Sequence, residues 1–235
     1  MITTPPVVTV DGPSGAGKGT LCRALAQRLG WHLLDSGALY RLLAWEALRR
    51  SLDLTQLAPL VSLATQLEVR FVMTVLGLQI IFEGQDVSQQ LATEAVGSTA
   101  SKIACLSPIR KALHQRQRAF CQPPGLIADG RDMGTVIFPE ARAKIYLYAS
   151  LEERASRRLR QLQSRSVNVK FEPLLGEMSE RDQRDTQRLV AALAAAEGAL
   201  LLDSTDLPIE QVIQLALNYV ECRVISKGLA YTAPD

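Results

Sequence analysis

The chain has 235 residues, of which 47% are hydrophobic and 21% are charged, and its 26 basic residues nearly balance 24 acidic ones. This composition is typical of a globular protein and excludes a disordered tail or a fibre. A net charge of +2 gives no support to a nucleic-acid partner.

Short apolar runs bounded by turn residues predict five buried strands. They are Val7–Val10, Trp31–Leu34, Leu126–Ala128, Ile145–Tyr148 and Leu200–Leu202. Helical patterns lie between most of them, at Gly17–Leu29 (closed by Gly30 as C-cap), Leu151–Arg165 and Pro208–Glu221. Strands that alternate with helices predict an α/β fold, a parallel sheet with helices on both faces.

The stretch between Ser36 and Gln122 interrupts this alternation. Its helical patterns are Ala38–Arg50, Leu54–Leu67, Thr93–Ala104 and Pro108–Cys121. Between the second and third of them, the run LEVRFVMTVLGLQIIFEGQDVS predicts two antiparallel strands, Glu68–Thr74 and Leu78–Glu83, joined near Gly77. We expect residues 36–122 to form a subdomain inserted between the second and third core strands.

A second polar stretch, Ser164–Arg188, is rich in Arg, Asp and Glu and poor in aromatic residues, which predicts a mobile lid. On a helix, Arg181, Arg184, Asp185 and Arg188 share one face. Three cations on one face repel each other unless a polyanion lies there; the alternative is a solvated helix with internal Asp–Arg pairs. The remaining residues, 1–35, 123–163 and 189–235, would form the core.

A glycine-rich loop follows the first predicted strand directly. Residues 12–20 read GPSGAGKGT, between the run VVTV and a helix that begins near Lys18. In this arrangement backbone N–H groups and a helix N-terminus cradle a triphosphate, and the lysine reaches the β and γ oxygens. The loop predicts a P-loop NTPase-type core. The predicted ATP contacts are Gly12, Pro13, Ser14, Gly15, Ala16, Gly17, Lys18, Gly19 and Thr20.

The loop departs from the common ending G-K-[S/T], because Gly19 separates Lys18 from Thr20. We therefore expect Mg²⁺ to be held by phosphates and water without a dedicated protein ligand, with Thr20 and Asp129 as candidate contributors. Asp129 ends the run GLIAD as a Walker-B-like carboxylate does; the alternative is that it caps a turn.

With the loop in place, the whole chain resembles the bacterial cytidylate kinases, which are nucleoside monophosphate kinases. The resemblance is carried by several unrelated motifs in the same order. They are VDGPSGAGKGT at 10–20, WHLLDSGALYR at 31–41, VRFV at 69–72, SKIA at 101–104, LIADGRDMGTVIFP at 126–139, ERDQRD at 180–185 with Arg188, and LLDSTDLPIEQV at 201–212.

The resemblance implies roles for individual residues. Lys18, Arg131 and Arg188 would act on the transferred phosphoryl group, and Arg157 and Arg158 would face ATP. The implied CMP contacts are Ser36, Arg41, Ser101, Arg110, Arg131, Asp132, Arg181, Asp185 and Arg188. Within that set, Asp132, Ser101 and Arg110 would read the base, since a carboxylate and a guanidinium complement the donor and acceptors of cytosine.

Some of these residues also admit purely structural roles. Ser36 suits the N-cap of the helix that follows the second strand. Arg41 suits an exposed surface, and Arg131 and Asp132 suit an ion pair with each other in a loop. Asp35 is expected to orient its neighbours without touching substrate.

The implied function is ATP-dependent phosphorylation of CMP and dCMP to CDP and dCDP, a step of pyrimidine nucleotide metabolism. The alternative is a kinase of another nucleoside monophosphate or of a small metabolite. A GTPase-like switch would need a guanine-reading N/T-K-x-D motif, which the chain lacks. We expect a monomer with no nucleic-acid or membrane partner.

The four cysteines, Cys22, Cys105, Cys121 and Cys222, have no C-x-x-C spacing, which argues against a structural zinc site. The N-terminus lacks signal-peptide features, and no run of about 18 apolar residues occurs. These features predict a cytoplasmic protein with reduced thiols. Two departures from the family, V-L-G-L at 75–78 and Leu91-Ala92, should affect local stability more than function.

Overall fold

The computed structural model describes residues 4–75, 77–164, 167–188 and 190–225. Eight strands lie in these ranges: β1 Val7–Asp11, β2 His32–Asp35, β3 Val69–Thr74, β4 Gly77–Phe82, β5 Gln85–Asp86, β6 Leu126–Gly130, β7 Ala143–Tyr148 and β8 Leu200–Asp203. Nine α-helices lie there too: α1 Lys18–Leu29, α2 Ser36–Arg49, α3 Leu57–Gln66, α4 Ser88–Leu91, α5 Glu94–Ile103, α6 Ser107–Arg118, α7 Leu151–Gln163, α8 Phe171–Thr186 and α9 Ile209–Val220. Two π-helical turns, Met133–Ile137 and Glu221–Ile225, complete the described elements.

The main sheet has the strand order β2-β6-β1-β7-β8, and all its neighbouring strands are parallel. All five predicted core strands are confirmed, with ends that differ by at most two residues. Because successive side chains of a strand point to opposite faces of the sheet, the main sheet contributes to two apolar layers, one on each face. Val7 packs with the helices of the inserted segment, whereas Val8 and Val10 pack with α1 and α9. The predicted parallel α/β fold is therefore confirmed.

The carboxyl ends of β1 and β6 lie side by side, because the two strands pair in register with Asp11 opposite Gly130. The glycine-rich loop follows β1, and Arg131 and Asp132 follow β6. An open parallel sheet binds its ligands at this edge, where the loops that follow neighbouring strands meet. The fold therefore brings the two loops that carry the principal motifs together.

The segment 36–122 contains α2 to α6 and an antiparallel sheet of order β3-β4-β5. The predicted hairpin strands and four helices are confirmed within three residues at each end, whereas β5 and α4 were not predicted, since both are too short to show a period. The unusual turn V-L-G-L at 75–78 falls partly outside the described residues, because Leu76 is not among them.

The polar stretch 164–188 contains a regular helix, α8, which packs on α7 through a small apolar cluster of Ala155, Leu162, Leu174 and Met178. Residues 165 and 166 of this stretch lie outside the described ranges. The helix ends at Thr186, so the prediction that Arg188 shares its face is wrong. Arg188 still lies beside Asp185, because the chain turns after Gln187.

Within the part of the chain that the structure describes, no helix has the length and apolarity needed to cross a membrane. All four cysteines are free thiols.

Candidate active site

The glycine-rich loop joins the end of β1 to the start of α1. Gly12 has φ 148°, and a Cβ added there would lie 1.9 Å from the carbonyl oxygen of Leu147, so a glycine is required. The residue before α1 is Gly17, which has no side chain to cap the helix. The first amides of α1 therefore remain available to an anion, and the helix dipole favours one there.

Lys18 lies at the start of α1 and is buried, with 6% of its surface exposed. Its Nζ donates to the carbonyl oxygen of Pro13 within the loop at 2.9 Å. Burial, together with the nearby positive charge of Arg131, lowers its pKa to about 8. Burial also raises the pKa of Asp129, the penultimate residue of β6, to about 6, against the opposing effect of Lys18. Asp129 thus lies within a strand, and its interpretation as a turn cap is wrong.

One pocket beside the loop contains all nine predicted acceptor residues. They are Ser36, Arg41, Ser101, Arg110, Arg131, Asp132, Arg181, Asp185 and Arg188. The residues come from α2, α5, α6, the corner after β6, and α8 with the turn that follows it. Residues more than 150 positions apart in sequence therefore converge on one site.

The pocket has a volume of about 50 Å³ and adjoins a larger cleft of about 550 Å³. Arg41, Ser101 and Arg181 line both, and Ser14 and Gly15 of the glycine-rich loop line the cleft. Ligand sites for nucleotide-sized molecules measure roughly 300–1,000 Å³. The pocket must therefore open for a nucleotide to enter, while the cleft already connects it to the loop.

A buried ion pair between Arg110 and Asp132 forms one wall of the pocket. The two residues are 8% and 3% exposed, respectively. Arg110 also donates to the carbonyl oxygen of Ala104 at 3.1 Å, and its guanidinium lies 5.7 Å from the ring centre of Tyr40. The predicted alternative, an ion pair between Arg131 and Asp132, is wrong, because Asp132 turns to α6.

Arg131 instead pairs with Asp185, which is 1% exposed and also accepts from Arg188. Burial alone would raise the pKa of Asp185, but Arg131 and Arg188 outweigh it and hold that pKa below its usual range. The Nε atoms of Arg181 and Arg188 are buried without a hydrogen-bond partner in the described structure.

Positive charge exceeds negative charge in this pocket. Five arginines line it, against only two aspartates. Burial first and the charge of Arg131 second lower the pKa of Arg181 to about 10. A bound polyanion would relieve the repulsion between these arginines, and the planar guanidinium fork suits phosphate oxygens.

The sequence profile of the cytidylate kinase family matches residues 8–222. This chain belongs to the cytidylate kinase family. The cytidylate kinase of Serratia proteamaculans (strain 568) is 59% identical over 219 residues, which cover 93% of this chain and 96% of that protein. The cytidylate kinase of Proteus mirabilis (strain HI4320) is 58% identical over 216 residues, which cover 92% and 96%, respectively.

The fold also resembles the crystal structure of a gluconokinase from Sinorhizobium meliloti 1021. That chain is 14% identical, with a TM-score of 0.47, and the match covers 95% of this chain and 96% of the other. This likeness is too distant to add to the assignment.

In this member of the cytidylate kinase family, the N-cap role that the sequence suggested for Ser36 belongs to Asp35. Asp35 is the N-cap of α2, and its Oδ1 accepts from the amide of Ala38 at 3.0 Å. Ser36 is not the cap; its hydroxyl donates to Oε1 of Gln117 on α6 at 2.8 Å. Asp35 thus orients its neighbours, as expected, and the hydroxyl of Ser36 lines the pocket.

Arg41 is not a surface residue. Its Nη1 donates to the carbonyl oxygen of Leu91 at 2.7 Å, and a Cβ on Gly97 would lie 2.9 Å from Nη2 of Arg41. Helix α5 therefore packs closely against this guanidinium, which faces both the pocket and the cleft.

Three arginines of α7 reach different parts of the site. Arg157 donates to both the carbonyl and the hydroxyl of Ser204, and Arg158 pairs with Glu94 across the cleft. Arg154, which was not predicted, donates to the carbonyl oxygen of Ser14 in the glycine-rich loop at 3.0 Å. Its position three residues before Arg157 was the available signal, because that spacing places both on one helix face.

Tyr40 and Gln117 were also missed. The hydroxyl of Tyr40 is buried without a hydrogen-bond partner in the described structure, and the residue lines the pocket. Burial raises its pKa to about 12, so the hydroxyl stays protonated and can donate to a ligand. Tyr40 lies within the motif WHLLDSGALYR at 31–41, which pointed to this segment but not to a role for the tyrosine, whereas Gln117 belongs to none of the motifs.

The residues around the loop fit a magnesium ion that arrives with a nucleotide. Among the described residues, no three His, Cys, Asp or Glu side chains come together as a metal-binding group. The hydroxyl of Thr20 accepts from Arg23 at 3.2 Å, and Asp129 supplies a carboxylate beside Lys18. Mg²⁺ commonly keeps several waters and binds one or two carboxylates plus substrate phosphates.

Proposed function

We propose that this chain transfers the γ-phosphoryl group of ATP to CMP or dCMP, with Mg²⁺, and releases ADP and CDP or dCDP. The observation that carries the proposal is the convergence of nine acceptor residues on one arginine-rich pocket beside a glycine-rich loop. Membership of the cytidylate kinase family supports the same activity.

Lys18 and the arginines would act by alignment and charge neutralisation. The acceptor phosphate is already an oxyanion at neutral pH, so the reaction needs no general base. Lys18 would stabilise charge on the transferred group from the donor side, and Arg131 and Arg188 from the acceptor side. Mg²⁺, when bound, would neutralise phosphate charge, and we assign Thr20 and Asp129 as the protein oxygens available to it.

Asp132, Arg110 and Ser101 would read the base. Cytosine presents an amine donor and the acceptors N3 and O2, which a carboxylate and a guanidinium complement. Uracil presents a carbonyl and an N–H at the corresponding atoms, so Asp132 and Arg110 would each meet the wrong group. Buried polar groups left unpaired cost about 1–3 kcal/mol each, which predicts roughly 10- to 10³-fold discrimination in kcat/KM.

The remaining residues would bind the ribose and the ATP donor, and two segments would move when the substrates bind. Arg181 and Asp185 would meet the ribose hydroxyls, and Arg158 would face ATP in the cleft. Residues 36–122 and 164–188 would close over a core of 1–35, 123–163 and 189–235 to exclude water. The proposal includes a slow ATPase activity without acceptor, and a monomer in the cytoplasm.

An assay of ADP release over a panel of monophosphate acceptors tests the proposal. CMP and dCMP should be the preferred acceptors, and D132N should narrow the CMP/UMP ratio of kcat/KM, mainly by weakening CMP, because an amide offers either a donor or an acceptor. The matched control is D53N, since Asp53 is an exposed aspartate that accepts from Thr55 between α2 and α3. Equal rates with all monophosphates, or an unchanged ratio in D132N, would count against it.

A further inference from the structure

Asp11 is a buried carboxylate to which the proposed function gives no role. It is the last residue of β1, directly precedes the glycine-rich loop and is 2% exposed. Its Oδ1 accepts from the amide of Met133 at 2.8 Å, and its Oδ2 accepts from the amide of Gly134 at 2.8 Å. One side chain therefore holds two consecutive amides at the corner that carries Arg131 and Asp132.

These two amides begin the π-helical turn Met133–Ile137, whose N-cap residue is Asp132. An aspartate at an N-cap usually accepts from the first free amides of its own helix. Asp132 makes no such bond. Because Asp11 satisfies those amides from the neighbouring strand, the carboxylate of Asp132 is left free to pair with Arg110 in the acceptor pocket.

The corner also packs directly on β1. A Cβ added to Gly134 would lie 2.8 Å from Oγ1 of Thr9 and 3.3 Å from Oδ2 of Asp11. The position of the turn is therefore set by β1, the strand that also leads into the glycine-rich loop. A change at Asp11 should move the turn and, with it, the direction of the Asp132 side chain.

We infer that Asp11 is a positioning residue for acceptor recognition, which holds the turn 133–137 so that Asp132 faces the base of the acceptor. The inference rests on the proposed function, because it assigns base reading to Asp132. Burial raises the pKa of Asp11 to about 7, against the two amide hydrogen bonds, so the fold retains a carboxylate at a site that disfavours its charge.

D11N is the direct test. The amide keeps the shape of the side chain but has one acceptor oxygen, so one backbone N–H loses its partner and faces an NH₂ group. Asp132 then gains a free amide to cap and is drawn away from the pocket. We expect kcat/KM for CMP to fall about tenfold while that for UMP changes little. KM should rise more for CMP than for ATP.

D53N is again the matched control, because Asp53 also accepts a backbone amide, that of Thr55 at 2.9 Å, on a remote and exposed loop. The ratio of kcat/KM for CMP to kcat/KM for UMP in D53N should equal that of the wild type. D11S, which removes the buried charge and keeps one oxygen acceptor, is a second variant with the same expected direction. In a D132N background, D11N should not change the ratio further, since Asp11 acts through Asp132.

A role in folding alone would lower the melting temperature and reduce kcat/KM for CMP and UMP by the same factor. A preserved CMP/UMP ratio in folded D11N would therefore overturn the inference and leave the proposed function intact. An effect of D11N on the ratio that persists in D132N would also overturn it. A wild type that does not prefer CMP to UMP would overturn the inference and the base-reading part of the proposed function together.

Discussion

Nε of Arg131 donates to Oδ2 of Asp185 at 3.0 Å. Arg131 follows β6 in the main sheet, whereas Asp185 lies in the last turn of α8. The other carboxylate oxygen of Asp185 accepts from Arg188. A single buried anion thus joins α8 to the main sheet and offsets the repulsion between the neighbouring arginines.

The first prediction is that D185N destabilises the fold. The amide cannot offset the charges of Arg131 and Arg188, and removing one partner of a buried ion pair typically costs about 3–5 kcal/mol. The free energy of unfolding from urea denaturation at pH 7 should fall on that scale. The control is D86N, since Asp86 is exposed and accepts from the amide and the hydroxyl of Ser88, two residues further along the chain.

The difference in unfolding free energy between wild type and D185N should depend on pH with a defined sign. The folded-state pKa of Asp185 is lowered below 3.8, so its carboxylate stabilises the fold above pH 3.8, and this contribution is lost as the pH falls further. The difference between wild type and D185N should therefore shrink below about pH 4. A difference that grows in acid would contradict the assignment of the charged pair.

The second prediction concerns Lys18. K18A removes the one lysine of the glycine-rich loop and should lower kcat by roughly 10²-fold or more, the scale expected when a charge next to a developing phosphoryl group is lost. The far-ultraviolet circular dichroism should be unchanged. K111A is the control, because Lys111 is exposed on α6. Near-normal turnover in K18A would overturn the assignment of the loop.

The third prediction separates charge from geometry at Arg188. R188K keeps the positive charge but loses the planar fork that can contact two phosphates or a phosphate and Asp185 together. Turnover should fall more than about tenfold, or about 1.4 kcal/mol in the barrier. Steady-state kinetics of R188K against R118K provide the comparison, since Arg118 pairs with Glu140 at the surface. Full activity in R188K would make Arg188 a structural cation only.

The main sheet and the glycine-rich loop were predictable from the sequence because both depend on local patterns. Buried parallel strands appear as apolar runs, and the loop 12–20 combines a strand, glycines, a lysine and a helix within one short segment. The nine pocket residues were found through the family resemblance, and the structure brings all nine together.

The partners of those residues were not predictable in the same way. Asp132 lies next to Arg131 in sequence but pairs with Arg110, and Ser36 donates to Gln117, 81 residues away. Asp11 holds amides 122 and 123 residues further along the chain. Such contacts are set by how elements pack, and neither propensity nor spacing within one element encodes them.

The fourth prediction follows from the pKa of Lys18, which burial first and Arg131 second lower to about 8 in the free protein. Lys18 therefore loses its proton as the pH rises through about 8, and the neutral amine attracts the triphosphate less strongly. We expect kcat/KM for ATP to decline on the alkaline side with an apparent pKa near 8. Bound phosphates favour the charged form, so kcat, which reports the bound state, should stay level to higher pH.

The variant R131Q tests whether Lys18 is the group whose titration causes this alkaline decline in kcat/KM for ATP. Arg131 lowers the pKa of Lys18 as a like charge, so its removal should raise that pKa and move the decline in kcat/KM for ATP to higher pH, even though R131Q is slower overall. R70Q is the control, since Arg70 is exposed on β3 and does not line the pocket or the cleft. The other titratable groups that interact with Lys18 are Asp129, Arg181, Asp11 and the Cys22 thiol, and all of them remain in R131Q. A decline at the same pH in R131Q and wild type would show that a group other than Lys18 titrates there.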